Sequence, residues 1–121
     1  MSNAALTAAQ TASRAWQETF NRGDAKGCAD FYSPEAVMKV TPFGEFRGRK
    51  EIQKFWEKII SDGFSDVEYL DPELTVVDDQ SVHLKSRWRM NKAHGVITNE
   101  LWVLQPDGAA LLTEDEFEVA T

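Results

Sequence analysis

The chain has 121 residues, enough for one domain with a real core and too few for two. Hydrophobic residues make up 42% and aromatics 11%, with four Trp, a composition that excludes a disordered chain. With 13 Lys and Arg against 20 Asp and Glu, the formal charge is −7 and basic residues are in the minority, which argues against nucleic acid and anionic membranes as partners.

Ala5, Ala8, Ala9, Ala12, Ala15, Trp16, Thr19 and Phe20 recur at three- and four-residue spacing and predict an amphipathic first helix. Arg22-Gly23 stops it, and Asp24 is suited to cap a short second helix whose apolar side carries Cys28, Phe31 and Tyr32. Ser33-Pro34 is expected to close that helix. Residues 35–41 alternate, with Ala36, Met38 and Val40 on one side and Val37, Lys39 and Thr41 on the other, as in a strand. After a Pro42/Gly44 corner, Ile52, Phe55, Trp56, Ile59 and Ile60 return to helical spacing, and Asp62-Gly63 ends this third helix.

From Phe64 the period becomes two. Strands are predicted near 64–77, 80–91, 95–105 and 109–119, separated by turn-forming clusters. Pro72 removes a ladder donor, so the first of these strands is expected to be an edge strand or to bulge at Asp71-Pro72. Short connections make the four an antiparallel meander with the helices on one face, an α+β domain spanning residues 1–121.

Some signals lead nowhere. "GEFRGRK" is not a phosphate loop: three residues separate Gly44 from Gly48, and Arg49 intervenes before Lys50. It reads as the corner at a pocket's lip. Two His and one Cys at scattered positions make no metal site, and no cofactor is expected. Cys28 reads as core; a lone Cys forms no intrachain disulfide and fits a reducing compartment. The opening segment lacks the basic start and apolar run of a signal peptide, and no window approaches the ~18 apolar residues of a membrane span. A cytoplasmic location is the expectation.

The stretch "AWQETFNRGDAKGCADFYSPEAVMKVTPFGEFRGRKEIQKFW" resembles the opening of the NTF2-like superfamily, which includes ketosteroid isomerase and the SnoaL-like polyketide cyclases. The shared features are the aromatic helix, the "N-x-G-D" corner, the "F-Y-S-P-E-A" join, the strand, and "G-R-x-x-I-x-x-F-W". The resemblance implies a cone: a curved, mostly antiparallel sheet wrapped around a long N-terminal helix, with two further helices. It also places Thr41 where isomerase relatives keep a catalytic Asp, Trp16 at their oxyanion-binding Tyr, and Glu100 at their protonated carboxylic acid. Thr41 is no proton-abstracting base and Trp16 no acid, so the isomerase reaction itself is not expected.

If Glu100 faces inward like its counterpart, period two turns Thr98, Trp102 and Leu104 inward with it. Val82, Leu84, Trp88 and Met90 then face the same way, as do Thr113, Asp115, Phe117 and Val119. Trp16, Phe20, Tyr32, Phe55 and Trp56 complete a lining of apolar walls and few polar groups, as in a small-molecule site. Two arrangements of the carboxyls are open. Glu100 and Asp115 form an acid/base pair with divergent pKa values, or one lies at the rim or both bond Trp and backbone without chemistry.

Outward, His83, Lys85, Arg87 and Arg89 form a basic row, and Glu114, Glu116 and Glu118 an acidic one. Ile97, Leu101 and Val103 lie between them as an apolar strip, which suggests a homodimer that buries the strip and opposes the rows. Two functions remain. One is a SnoaL-like pocket protein for a compact apolar or polyketide-like ligand, acting as a cofactor-free isomerase, cyclase or dehydratase. The other is a non-catalytic dimeric binding or association module whose cavity is filled by its own Trp side chains. A void of ~300 Å³ or more favours the first, a packed cone the second.

Overall fold

The computed structural model describes residues 3–120. Its elements run α1 (Ala4–Asn21), α2 (Ala25–Asp30), β1 (Tyr32–Thr41), β2 (Gly44–Arg47), α3 (Gly48–Ser61), β3 (Glu68–Val76), β4 (Ser81–Arg89), β5 (His94–Leu104) and β6 (Ala110–Val119). One curved six-stranded sheet has the order β2-β1-β6-β5-β4-β3. The α+β cone expected from the sequence is present.

Local chemistry explains most boundaries. Asn3 and Asp24 cap α1 and α2 by accepting from the Leu6 and Gly27 amides, which the helices leave without internal partners. α1 lays Ala5, Ala9, Ala12, Trp16 and Phe20 into the core, small residues at its start and large aromatics toward its end. Gly48 leads β2 into α3 at φ +78°, a left-handed conformation that disfavours a side chain. α3 buries Ile52 and Trp56 and stops at Asp62-Gly63 as expected.

Three differences from the sequence expectation matter. α2 ends at Asp30, before Ser33-Pro34, and β1 already begins at Tyr32. "GEFR" is not only a corner but a strand that folds back on β1, pairing Val37 with Arg47 and Val40 with Gly44. β1 also joins the sheet parallel to β6, Met38 opposite Asp115. That pairing closes the cone and has no local signature, because its partners lie far apart in sequence.

The meander β3-β4-β5-β6 is antiparallel throughout. β3 is an edge strand and slips register between Leu70 and Glu73, with Asp71 at φ +56°, as Pro72 required. It begins only at Glu68. The residues before it are held instead by Asn21, which donates to the Val67 carbonyl at 3.2 Å and accepts from its amide at 2.7 Å.

Two bulges between β5 and β6 reset the inward and outward faces. The ladder passes from Ile97↔Phe117 to Asn99↔Glu116, leaving Thr98 extra, and from Leu101↔Glu114 to Trp102↔Leu112, leaving Thr113 extra. Each Thr hydroxyl donates across to the facing strand, Thr98 to the Glu116 carbonyl and Thr113 to the Leu101 carbonyl, both at 3.2 Å. Thr98 is therefore exposed, and neither Thr lines the cavity. Ile97, expected outside, is buried and faces the cavity, while Val96 takes the outer position. Among the described residues no helix is long and apolar enough to cross a membrane.

Candidate functional site

Between the sheet's concave face and the helices lies a cavity of about 210 Å³. Trp16 from α1, Phe55 and Trp56 from α3, Trp88 from β4, Met90 just after it and Phe117 from β6 line it as expected. Phe20, Tyr32 and Trp102 do not. They are fully buried one layer behind: Phe20 stacks on Trp16 at 5.6 Å between ring centroids, and the other two hold the carboxyls described below. Leu104 is half-buried against the core and outside the lining. Thr41 is exposed at the end of β1, also outside the lining. The alternation that buries Met38 and Val40 turns Thr41 outward, so the place of the isomerase base is not in this cavity.

Glu100 and Asp115 do meet. They are directly opposed on β5 and β6, both line the cavity, and they are 2% and 3% exposed. Cross-strand opposition puts their Cβ atoms roughly 5 Å apart. The rim alternative therefore fails. Tyr69 donates to Glu100 Oε2 at 2.7 Å and Trp102 Nε1 donates to Glu100 Oε1 at 2.8 Å. Tyr32 donates to Asp115 Oδ2 at 2.6 Å. Asp115 Oδ1 has no partner among the described residues.

This inequality separates the two acids. Burial raises the Glu100 pKa to about 7, against the opposing effect of its two donors. Burial raises Asp115 well above the usual carboxylate range, and the Glu100 charge adds to it, with only Tyr32 acting against. Glu100, with a donor on each oxygen, is the member whose charge is better stabilised, and Asp115, with one, is the member whose charge is held less well. Burial, followed by the neighbouring carboxyl charges, also pushes Tyr32 and Tyr69 well above the ordinary phenol range, so both remain donors. Cys28, pushed up to about 12 by burial and by Asp24, stays a thiol within the core.

Sequence reasoning missed Tyr69, Phe43, Phe64 and Val67. The Asp71 bulge breaks the alternation that would have pointed Tyr69 inward. Phe43 sits at the tip of the β1–β2 hairpin, 60% exposed yet lining the mouth. An aromatic in a Pro/Gly corner was a visible signal.

No curated protein matches this chain. Solved structures do, at identities that speak to fold alone. A candidate scytalone dehydratase from Novosphingobium aromaticivorans superposes with TM-score 0.79 at 15% identity, covering 96% of this chain and 84% of that one. A ketosteroid isomerase-like protein from Erwinia carotovora atroseptica gives 0.81 at 14%, covering 96% of each. A candidate calcium/calmodulin-dependent protein kinase II association domain from Xanthomonas campestris gives 0.76 at 14%, covering 88% and 81%. The SnoaL-like domain profile matches residues 13–113. With that span covering most of the chain and a sheet-and-helix cone around the cavity, the protein belongs to the SnoaL-like domain family and has the fold of NTF2-like proteins.

Proposed function

We propose that the protein binds a compact, largely apolar carbonyl compound and moves a proton on it without a cofactor, as an isomerase, cyclase or dehydratase. The observation that carries this is the Glu100–Asp115 pair, opposed across two strands and wedged by one Tyr hydroxyl each. The Glu100 carboxylate takes a proton from the carbon beside the carbonyl. The C–H electron pair moves into an enolate, whose oxygen accepts from the Asp115 acid. Return of the proton at a different carbon gives an isomer; departure of a β-hydroxyl as water, with the Asp115 proton, gives dehydration. The similarity to a candidate dehydratase and to an isomerase-like protein supports this class of chemistry and names no substrate.

At about 210 Å³ the cavity is below the ~300 Å³ expected of a ligand pocket, so the ligand is small. A compact bicyclic ketone such as 1-tetralone, incubated in D₂O, should exchange its α-protons faster with the protein than without. Glu100→Gln should slow that exchange by about 10²-fold or more. Enzyme-dependent exchange that survives the substitution would remove Glu100 as the base.

The smaller volume and the similarity to an association domain favour a second reading, a dimeric module. We propose Val96, Leu101 and Val103 as its buried strip, with Ile97 excluded because it faces inward. The opposed charge rows are less available than the sequence suggested. Arg87 pairs with Asp71 at 2.8 Å and Arg89 with Glu68 at 3.2 Å, both within the chain. Sedimentation at micromolar concentration should give a dimer that Leu101→Lys dissociates; a monomeric wild type contradicts it.

A further inference from the structure

Three of the residues that line the cavity are exposed, Phe43, Lys92 and Ala120, and they mark its mouth. Lys92 is the one cation of the lining among the described residues; the two acids, Glu100 and Asp115, are buried. The rest of the wall is aliphatic or aromatic, and the one phenol in it, Tyr69, already donates to Glu100.

The chain fixes where Lys92 stands. It lies in the turn between β4 and β5, closed by the Met90 amide donating to the Ala93 carbonyl at 2.8 Å. Asn91 ties that turn to the segment after α3. Its backbone amide donates to the Ser65 carbonyl at 3.0 Å, its side-chain amide donates to the Gly63 carbonyl at 2.9 Å, and its side-chain oxygen accepts from the Ser65 amide at 3.0 Å. Lys92 Nζ then donates to the Asp62 carbonyl at 3.0 Å and sits 5.7 Å from the centroid of the Phe64 ring, which itself lines the cavity. Capping the end of α3 in this way uses one of three ammonium N–H groups. Lys92 forms no ion pair with a carboxylate among the described residues, whereas Arg87 and Arg89 of the preceding strand each do.

The interior and the mouth of the cavity thus differ in charge. An anionic group carried deep would be buried beside Glu100 and Asp115, where desolvation and like charge both oppose it. At the mouth the same group stays hydrated and meets an ammonium with donors to spare.

We propose that Lys92 is a specificity-determining residue: it selects ligands with a carboxylate on the end of the ring system remote from the reacting carbonyl, and so turns the carbonyl inward. This rests on the small-molecule reading above and sharpens it to a class, keto acids on a compact ring. A β-hydroxyl that leaves in dehydration fits the same class.

A matched pair of probes tests it. 1-Tetralone-6-carboxylate carries its acid at the far end of the bicycle from the ketone, and the 6-carboxamide is its neutral counterpart. Calorimetry at low salt should show the acid binding about threefold to tenfold tighter than the carboxamide, a preference that shrinks as salt rises. In Lys92→Gln the two should bind within about twofold of one another, while Lys92→Arg keeps the preference. Urea midpoints establish that both variants fold, as expected for an exposed position. A role confined to capping α3 would lower the midpoint of Lys92→Gln and leave the acid-to-carboxamide ratio unchanged, which would overturn the proposal. Acid and carboxamide binding alike to the wild type, or both failing while unsubstituted 1-tetralone binds, would overturn it too. Failure of all three compounds to bind would overturn the small-molecule reading itself. A Lys92-dependent preference without α-proton exchange would support the selection and remove the proton transfer.

Discussion

The folded protein should lose stability as pH rises from 5 to 8. Glu100 and Asp115 both have folded-state pKa values above their unfolded ones, about 7 for Glu100 and well above the usual carboxylate range for Asp115. Between roughly pH 4, where such groups titrate in an unfolded chain, and the folded values, the native state binds more protons than the unfolded state. Their stabilising contribution is therefore complete below that unfolded range and is lost as pH climbs through the folded pKa values. Within the window each group makes stability fall by about 1.4 kcal/mol per pH unit. Urea midpoints at pH 5.5, 6.5, 7.5 and 8.5 measure the slope. Asp115→Asn mimics the neutral acid and can still accept from Tyr32, so it should flatten the decline above pH 7 and leave the variant more stable than wild type at pH 8.5. Stability that is flat or rises over this range contradicts the buried pair.

Gly95→Ala should be among the most damaging single substitutions in the chain. Gly95 pairs with Val119 on β6 and lies against Trp88 on β4. A Cβ there would overlap the backbone carbonyl of Glu118 and come within 2.8 Å of the Trp88 ring. The first obstacle is backbone in a paired strand and cannot rotate aside, so the strands must part or Trp88 must leave the cavity wall. Overpacking of a core costs about 1–3 kcal/mol or more, a large share of the ~5–15 kcal/mol that holds a domain folded. The expected result is a urea midpoint lowered by at least the equivalent of 2 kcal/mol. A midpoint within about 0.5 kcal/mol of wild type would mean that β5 and β6 are further apart here than described.

Those two results bear on different levels of what was readable from residues. Periodic segments were legible: α3, the antiparallel order of the last four strands, and the bulge that Pro72 forces on β3 all follow from local rules. The meeting of Glu100 with Asp115 was legible only through the family resemblance, which set Glu100 inward, and it stood beside the alternative that one carboxyl lies at the rim. Thr98 and Thr113 were misread because a bulge shifts the alternation by one residue and neither position carries a Gly to announce it. Thr98 shows the consequence most clearly, since its extra place exchanges the faces of Ile97 and Val96. The parallel β1–β6 pairing and the reach of Tyr69 from the edge strand to Glu100 depend on tertiary closure, to which no window of sequence responds. At Thr41 the family resemblance and the strand's alternation disagreed, and the alternation prevailed.

We propose that two adjacent carboxyls in one apolar cavity hold different protonation states at neutral pH. Carbon-13 NMR of the Glu100 and Asp115 side-chain carboxyls, titrated from pH 3 to 9 and assigned with Glu100→Gln and Asp115→Asn, measures this directly. The pair should titrate with one midpoint near 7, centred on Glu100, and Asp115 should remain protonated beyond it. Both resonances moving together near pH 4, as in an unfolded chain, would contradict the account.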